Sequence, residues 1–477
     1  MQNSSIGTIE GAVDDVEFKY DATEIVNTKS TALQIRYLSP QREIYSRDVI
    51  AVLRGGGTVS ADCNLTLYRI LYLETKEKGY VLKQVRVSKP PRRWLDDFLI
   101  PAPPAHLSIP KGEEGLPNIH VVVSVKSGLC KAKVFCDNIV RPVFAACGLK
   151  HEEDYIVHET ESVRSVTEFA RTVLLPRAIK GQPQTILLLS GDGAVFDIVN
   201  VLLSSSQSDA YIKPVIGLVA MGTGNALAHS TGLTDNDTLG FASFLRGTPY
   251  SLPTFTATFS AGSEFVVDEG RRAEPLPQPE GSELGVVHGA VVCSWALHAA
   301  LVADSDTSEY RKHGSERFLM AAKELLSPSD GSLPHRFKGK ITLIRNDENG
   351  EELRSPLVRH EHMYILATLV SNLEQTLTIS PSSWPLDGQL RLVHFAPLSG
   401  DEIWRIMDLA YQGGAHVNED VVGYENIGGL RIDFDEQDDR WRRVCVDGMI
   451  VRVGEGGWVE VRREKRDVLD IVANLQS

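Results

Sequence analysis

Two glycine-rich turns, each directly after an apolar run, constrain the fold of this chain more than any other feature. The first reads Ser190-Gly191-Asp192-Gly193 and follows the apolar residues 186–189. The second reads Gly222-Thr223-Gly224-Asn225 and follows the apolar run 215–220. Apolar residues recur at helical spacing after each turn. Repeated strand–turn–helix units predict a parallel sheet that binds ligands at the carboxyl ends of its strands.

Both turns suit a bound phosphate. Glycine lets the backbone turn sharply and approach a ligand closely, and free N–H groups at a helix start attract anions. Asp192 adds a carboxylate that suits a metal ion or a hydroxyl proton. Neither turn matches GxxxxGK[ST] or a complete GxGxxG, which argues against a P-loop or a dinucleotide-binding fingerprint. For the Gly-Asp-Gly turn taken alone, a plain tight bend is the alternative interpretation.

The 477 residues divide into three regions by pattern. Residues 1–112 are predicted to be β-rich and end in a proline-rich linker. Residues 113–250 alternate strands and helices and are interpreted as an α/β nucleotide-binding domain with a parallel sheet. Residues 251–477 are predicted to form a second β-rich domain, a β-sandwich, with a surface loop at Arg271 to Gly285.

Charge and cysteine content narrow the class of protein. The formal net charge of -14 argues against general nucleic-acid binding. Six scattered cysteines without a CxxC pair predict reduced thiols in the cytoplasm. The stretch Val286 to Ala303 lacks Asp, Glu, Lys and Arg, but contains two histidines and a serine. We interpret it as two buried elements of a core and not as a transmembrane span.

Taken together, the two turns resemble the diacylglycerol kinase catalytic domain, whose superfamily includes sphingosine, ceramide and bacterial lipid kinases. The resemblance extends through roughly residues 118–460. The segment Ser294 to Phe318 is most similar to sphingosine kinases, since an alternating aspartate pair precedes a Ser-Glu-Tyr-Arg run and an Arg-Phe. Val446-Asp447-Gly448 resembles the late Asp-Gly-acid motif of the family.

The resemblance implies an ATP- and Mg²⁺-dependent lipid kinase that phosphorylates the primary hydroxyl of a sphingoid long-chain base. It also implies a cytoplasmic protein that associates peripherally with a membrane surface. Asp192 would be the catalytic aspartate, taking the hydroxyl proton or helping to hold Mg²⁺. Asp306, with Asp304 beside it, would bind the ammonium head of the lipid. Contacts to the nucleotide are implied for Ser127, Gly128, Gly191, Gly193, Gly222, Thr223, Asn225, Arg311, Arg317, Asp447 and Gly448.

Several positions depart from the family pattern. Ser124-Val125 stands where Asn-Pro is usual, Ser165 replaces a histidine, and Met449 replaces the acid of the late motif. Two alternatives therefore stay open beside a sphingoid base kinase. One is a diacylglycerol or ceramide kinase on the same fold, and the other is a non-catalytic homologue that binds lipid or nucleotide. The sequence does not indicate an oligomeric state.

Overall fold

The computed structural model describes residues 7–11, 16–20, 25–27, 30–32, 34–37, 43–55, 67–77, 79–87, 90, 92–314, 316–347 and 349–475. The N-terminal region is β-rich, as predicted. Two four-stranded sheets, in the orders β1-β2-β5-β6 and β10-β7-β8-β9, and one two-stranded sheet, β3-β4, are accompanied by one α-helix. Their elements are β1 (Gly7–Gly11), β2 (Val16–Tyr20), β3 (Ile25–Asn27), β4 (Ser30–Ala32), β5 (Gln34–Tyr37), β6 (Glu43–Tyr45), β7 (Val49–Arg54), β8 (Tyr68–Lys76), β9 (Gly79–Val87), α1 (Arg92–Phe98) and β10 (Leu99–Ile100).

An α/β domain follows, and its elements alternate as the sequence predicts. Short π-helical stretches at 136–140 and 170–174 join its first four helices into two continuous ones. The elements are β11 (Ile119–Val123), α2 (Ala132–Phe135), α3 (Arg141–Ala146), β12 (Tyr155–Glu159), α4 (Ser165–Phe169), α5 (Leu175–Ile179), β13 (Thr185–Ser190), α6 (Asp192–Leu203), β14 (Val215–Ala220), α7 (Ala226–Ser230), α8 (Phe241–Arg246) and β15 (Thr248–Ser251).

The sheet of this domain is parallel where the glycine turns lie. Strands β12, β11, β13 and β14 are adjacent in that order, and each neighbouring pair is parallel. Every residue of β11 and β13 is buried. Helices on both faces of a parallel sheet explain why these strands read as unbroken apolar runs. The predicted α/β class is confirmed.

The third region is β-rich, as predicted, with helices on one side. Its elements are β16 (Phe255–Phe259), β17 (Glu264–Val267), β18 (Arg272–Pro275), β19 (Gly285–Gly289), β20 (Val292–Ala296), α9 (Leu297–Ser305), α10 (Ser308–Arg311), α11 (Glu316–Leu326), β21 (Phe337–Asn346), β22 (Glu352–Pro356), β23 (Glu361–His362), β24 (Tyr364–Thr368), β25 (Leu390–Phe395), α12 (Gly400–Tyr411), β26 (Val422–Ile427), β27 (Gly429–Phe434), β28 (Arg443–Val446), β29 (Met449–Arg452), β30 (Trp458–Arg463) and β31 (Asp470–Ala473).

These strands form two large sheets, one with the path β19-β16-β30-β27-β21-β22 and the other with the path β18-β17-β29-β28-β20-β24-β25-β26. Trp295, Phe255 and Ile365 belong to the core between the sheets. On the other face of the second sheet, Tyr364 and Phe395 pack in an apolar cluster with Ile403 of α12. We call this second cluster the helix-side layer.

Two local expectations need correction or refinement. The segment Arg271 to Gly285 is not wholly a loop, because β18 within it pairs antiparallel with β17. The uncharged stretch Val286 to Ala303 forms most of β19, all of β20 and most of α9. No helix in the described part of the chain has the length and apolarity needed to cross a bilayer.

The final strand also differs from the predicted division of the chain. Residues 251–477 were assigned to the β-rich domain, yet β31 lies in the α/β sheet, parallel to β14 and antiparallel to β15. The last three residues of β31 are buried there. Because a local apolar pattern does not specify which sheet a strand joins, the sequence alone could not assign this strand.

Candidate active site

The glycine turns meet at the carboxyl ends of adjacent strands, where the sequence places them. Ser127 and Gly128 follow β11, Gly191 follows β13, and Gly222 follows β14. A Cβ atom on Gly191 would lie 2.8 Å from the Gly222 Cα, which is closer than side chains tolerate. Gly128 has a φ of +49°, and a Cβ there would lie 2.4 Å from the carbonyl oxygen of Met221. Only glycine permits this contact between the three turns.

Asp192 is the first residue of α6, and its carboxylate reaches across to the second turn. Its Oδ2 accepts the backbone N–H of Ala226 at 2.8 Å, and its Oδ1 accepts that of Leu227 at 3.1 Å. Burial raises the pKa of the Asp192 carboxyl, and these two amide donors oppose the shift. Each carboxylate oxygen keeps a lone pair after one hydrogen bond. The group can therefore brace the start of α7 and still accept a proton.

The second turn is held by its own asparagine. Asn225 has a φ of +53°, and its side-chain Oδ1 accepts the Gly222 N–H at 2.8 Å while its Nδ2 donates to the Gly222 carbonyl at 2.9 Å. The side chain is thus engaged inside the turn, and its contact to a nucleotide stays a prediction. Thr223 and Gly193 are exposed, and a Cβ added at Gly193 would meet open space. These two residues border room for a ligand.

A second acid, Asp447, lies near Asp192 in the β-rich domain. Asp447, with Gly448, forms the turn between β28 and β29, and its carboxylate accepts the backbone N–H groups of residues 290–292 at 2.6, 3.0 and 2.7 Å. Burial is the main cause that raises the pKa of Asp447 to about 7, and the negative charge of Asp192 adds to the shift. Since the charge of Asp192 affects the pKa of Asp447, the two carboxyl groups lie near each other across the domain boundary.

Asn200 also holds the α/β domain against the β-rich domain. It was not among the predicted site residues. Its Oδ1 accepts the backbone N–H of His288 at 2.9 Å, and its Nδ2 donates to the His288 carbonyl at 2.7 Å. A single α6 side chain therefore binds both peptide groups of one residue in β19. Its position eight residues after Asp192, in the motif that carries the resemblance, was the signal available in the sequence.

The segment 371–378 of the β-rich domain packs against the second glycine turn and lies near Arg317. The carbonyl oxygen of Leu373 lies 3.4 Å from the position of a Cβ on Gly224. Ser230 of α7 accepts the backbone N–H of Asn372 at 2.9 Å. Burial raises the pKa of Glu374, which follows Leu373 in this segment, and the positive charge of Arg317 opposes that shift. Arg317 thus lies on the side of the β-rich domain that faces the glycine turns.

The two aspartates of the predicted lipid-head site have different surroundings. Arg317 Nη1 donates to Asp306 Oδ1 at 3.3 Å. Asp304 instead accepts from Arg440 at 2.9 Å and from Arg443 at 2.8 Å. Asp304 is therefore part of an ion pair with two arginines, while Asp306 lies beside the predicted nucleotide arginine. Arg311 ends α10, and its side chain lies outside the described part of the structure.

Metal binding at Asp192 stays a prediction. Within the described ranges, no group of three His, Cys, Asp or Glu side chains is arranged to hold a metal ion. Mg²⁺ typically keeps several waters and binds through one or two carboxylates together with substrate phosphates. Asp192 and Asp447 fit that mode, because two carboxylates near a phosphate site are sufficient for it.

The fold and the site together join an α/β domain, with three glycine turns at the carboxyl ends of adjacent strands, to a β-rich domain that packs against these turns. The sequence model for the diacylglycerol kinase catalytic domain matches residues 118–252. This range includes all three glycine turns and Asp192. Residues 118–252 are therefore similar to the diacylglycerol kinase catalytic domain, and the resemblance found in the sequence is confirmed.

Two curated relatives match part of the chain. Sphingoid long-chain bases kinase 1 of Arabidopsis thaliana is 29% identical over 111 residues, which are 23% of this chain and 14% of that protein. Sphingosine kinase B of Dictyostelium discoideum is 29% identical over 141 residues, 29% of this chain and 17% of that protein. The chain thus spans less than a fifth of either relative.

Solved structures with a similar arrangement include a diacylglycerol kinase from Bacillus anthracis str. Sterne. It has a TM-score of 0.45 and 14% identity, and the match covers 76% of this chain and 98% of that one. Yeast NADH kinase complexed with NADH matches with a TM-score of 0.36 and 12% identity, over 76% of this chain and 85% of that one.

Proposed function

We propose that this protein is an ATP-dependent lipid kinase that phosphorylates the primary hydroxyl of a sphingoid long-chain base. The observation that supports the proposal is the position of segment 371–378, because Leu373 packs against Gly224 of the second turn and Glu374 lies within the electrostatic influence of Arg317. On this basis the proposed phosphate-binding turns and the Arg317–Asp306 pair would line one cleft. An anion site beside a carboxylate suits a phosphoryl donor and a cationic acceptor bound side by side.

The nucleotide phosphates would bind at the three glycine turns. The dipole of α6 favours negative charge at its N-terminus, where Gly193 is exposed. Exposed Thr223 and Gly193 border this space. Arg317 would add a guanidinium to the transferring phosphate, where a planar donor pair matches phosphate oxygens. Mg²⁺ would be held by Asp192 or Asp447 together with the phosphates, and would neutralise their charge.

The acceptor hydroxyl would lie next to Asp192. Its oxygen forms a bond to the γ-phosphorus of ATP, the bond from that phosphorus to the β,γ-bridging oxygen breaks, and ADP leaves. The hydroxyl proton passes to the Asp192 carboxylate, which the burial-raised pKa makes a better proton acceptor. Asp306 would pair with the ammonium of the sphingoid base, and the hydrocarbon chain would enter the helix-side layer. We further propose that the protein works in the cytoplasm, peripherally bound to a membrane surface.

A transfer assay with labelled ATP separates the candidate functions. The purified chain is incubated with Mg²⁺ and sphingosine, dihydrosphingosine, phytosphingosine, diacylglycerol or ceramide in mixed micelles. Label on the three free bases supports the proposal. Label only on diacylglycerol or ceramide would replace it by a kinase for those uncharged acceptors. Absence of label on every lipid, together with no Mg²⁺-dependent ATP binding, would establish a non-catalytic homologue.

A further inference from the structure

Tyr364 buries a hydroxyl without a hydrogen-bond partner. It lies in β24 and is 2% exposed, with its ring stacked on that of Phe395 at 5.1 Å between centroids. Among the residues that the structure describes, no atom hydrogen-bonds to its hydroxyl oxygen. Burying an unbonded hydroxyl is unfavourable, because the group loses its hydrogen bonds to water and gains none in the protein. A phenylalanine would fill the same space in this apolar layer without that cost.

His298 is a polar neighbour of the Tyr364 ring. It lies in the first turn of α9, and its ring centroid is 6.1 Å from that of Tyr364, edge to face. Its Nδ1 is hydrogen-bonded to Ser294 Oγ at 2.7 Å, while its Nε2 has no partner in the described part of the chain. Burial lowers the pKa of His298 to about 4, so the imidazole is neutral at physiological pH. A neutral ring offers one further hydrogen bond at Nε2.

Tyr364 and His298 lie a short distance from Asp447 and Asp306, which belong to the proposed reaction centre. Ser294 is opposite Cys445 in the β20–β28 pairing, and Cys445 is two residues before Asp447. Two residues of strand span about 7 Å. Asp306, the proposed site for the lipid head, lies eight residues after His298, which is about 12 Å along a helix. The pair therefore lies beyond the head-binding residues, in the layer proposed to receive the hydrocarbon chain.

We infer that Tyr364 and His298 form a polar subsite for a hydroxyl group on the hydrocarbon chain of the lipid acceptor. A hydroxyl both donates and accepts, so it can bond the tyrosine oxygen and the histidine Nε2 at once, whereas an ester or amide carbonyl only accepts. An ammonium would need a carboxylate in this apolar layer, and neither residue supplies one. The inference rests on the proposed lipid kinase function and adds an acceptor preference to it.

The test compares two lipids that differ by one chain hydroxyl, phytosphingosine and dihydrosphingosine. In the native chain, phytosphingosine should have the higher kcat/KM and the tighter binding. Tyr364→Phe should reduce this preference about tenfold, the effect of one lost hydrogen bond in a buried site. Tyr211→Phe is the matched control, because the Tyr211 hydroxyl already donates to the Val468 carbonyl at 2.8 Å. It should leave the preference unchanged.

Thermal unfolding without lipid checks whether the lost preference in Tyr364→Phe comes from the missing hydroxyl or from a less stable fold. Tyr364→Phe should unfold at the native temperature or above it, since it removes an unbonded polar atom, whereas Tyr211→Phe should unfold at a lower temperature. At position 298, asparagine places a polar atom near that of Nδ1 and glutamine places one near that of Nε2. His298→Gln should therefore keep more of the preference than His298→Asn.

Binding is measured both with and without ATP, so that the two proposals can fail separately. If no lipid is phosphorylated, the kinase proposal fails, and the ratio of the two lipid affinities without ATP still tests the subsite. An equal affinity ratio in the native and Tyr364→Phe proteins would overturn the subsite. Strong destabilisation of Tyr364→Phe in the absence of lipid would overturn it as well, because the hydroxyl would then have a partner within the protein.

Discussion

The Asp192 carboxylate accepts the backbone N–H of Ala226 at 2.8 Å, so the acid that begins α6 also anchors the first turn of α7. The second turn ends in Asn225 with a left-handed φ, a conformation that needs support from its surroundings. Asp192 supplies part of that support through Ala226 and Leu227. In the proposed reaction the same residue would therefore shape the phosphate site and accept the proton of the acceptor.

Replacing Asp192 by asparagine should affect both roles. One amide hydrogen bond at Ala226 or Leu227 is lost, because the asparagine NH₂ cannot accept it, and stability should fall by about 1–2 kcal/mol. Loss of the proton acceptor should lower kcat by about 100-fold or more. Urea unfolding and steady-state transfer measure the two effects, with exposed Asp209→Asn as a control that should change neither. Full transfer activity in Asp192→Asn would contradict the proton-acceptor role.

The glycine turns offer a matched pair of substitutions. A Cβ on Gly191 would meet the Gly222 Cα at 2.8 Å, whereas one on Gly193 would meet nothing within 4 Å. Gly191→Ala should therefore force the turns apart and cost about 1–3 kcal/mol. Gly193→Ala should be neutral or stabilising by about 0.5–1 kcal/mol, because it lies in the first turn of α6. Differential scanning calorimetry compares the two variants, and equal transition temperatures would refute the close packing of the turns.

Much of the fold was predictable, because it depends on local periodicity. The buried strands β11, β13 and β14 appear in the sequence as short apolar runs that end in turns, and these predict a parallel sheet. The strand β31 was assigned to the wrong region, since its four residues carry no signal for their partner sheet. The strand β18 was missed because its residues are mostly exposed and polar, and pairing with β17 alone defines it.

The candidate site was predictable only where glycines and acids mark it. Asp192 and Asp447 were named from motifs, but their partners are backbone N–H groups, which any residue type supplies. The sequence could not distinguish Asp304 from Asp306, because their environments depend on Arg440 and Arg443, more than 130 residues away in the chain. The Tyr364 hydroxyl could not be recognised either, since a missing partner is a property of the packed structure.

The two aspartates after His298 should respond differently to substitution. Asp304→Asn breaks the ion pair with Arg440 and Arg443, so it should lower stability by about 1 kcal/mol and leave the KM for the acceptor almost unchanged. Asp306→Asn should raise the KM for sphingoid bases several-fold, because the ammonium loses its counter-charge. Urea unfolding and acceptor titrations at saturating MgATP separate the two effects. The assignment is wrong if Asp304→Asn alone raises the KM.

Asp447 gives a pH-dependent prediction. Its folded-state pKa of about 7 exceeds the ordinary value of 3.8 because the carboxyl is buried. The folded chain therefore holds this proton more tightly than the unfolded chain does. The resulting stabilisation is fully present below pH 3.8 and is lost as the pH rises through about 7. Asp447→Asn lacks this contribution, so its stability deficit relative to the native chain should shrink by about 2 kcal/mol between pH 5 and pH 8.

Chemical denaturation of both proteins at several pH values measures that change. The histidines whose pKa values are lowered by burial, among them His120 at about 3 and His298 at about 4, titrate in both proteins and cancel in the difference. The free energy of unfolding of Asp209→Asn should equal that of the native chain at every pH, because Asp209 is exposed. A deficit of Asp447→Asn that is constant from pH 5 to pH 8 would mean that Asp447 is ionised throughout. The three backbone N–H groups of residues 290–292 would then outweigh the effect of burial.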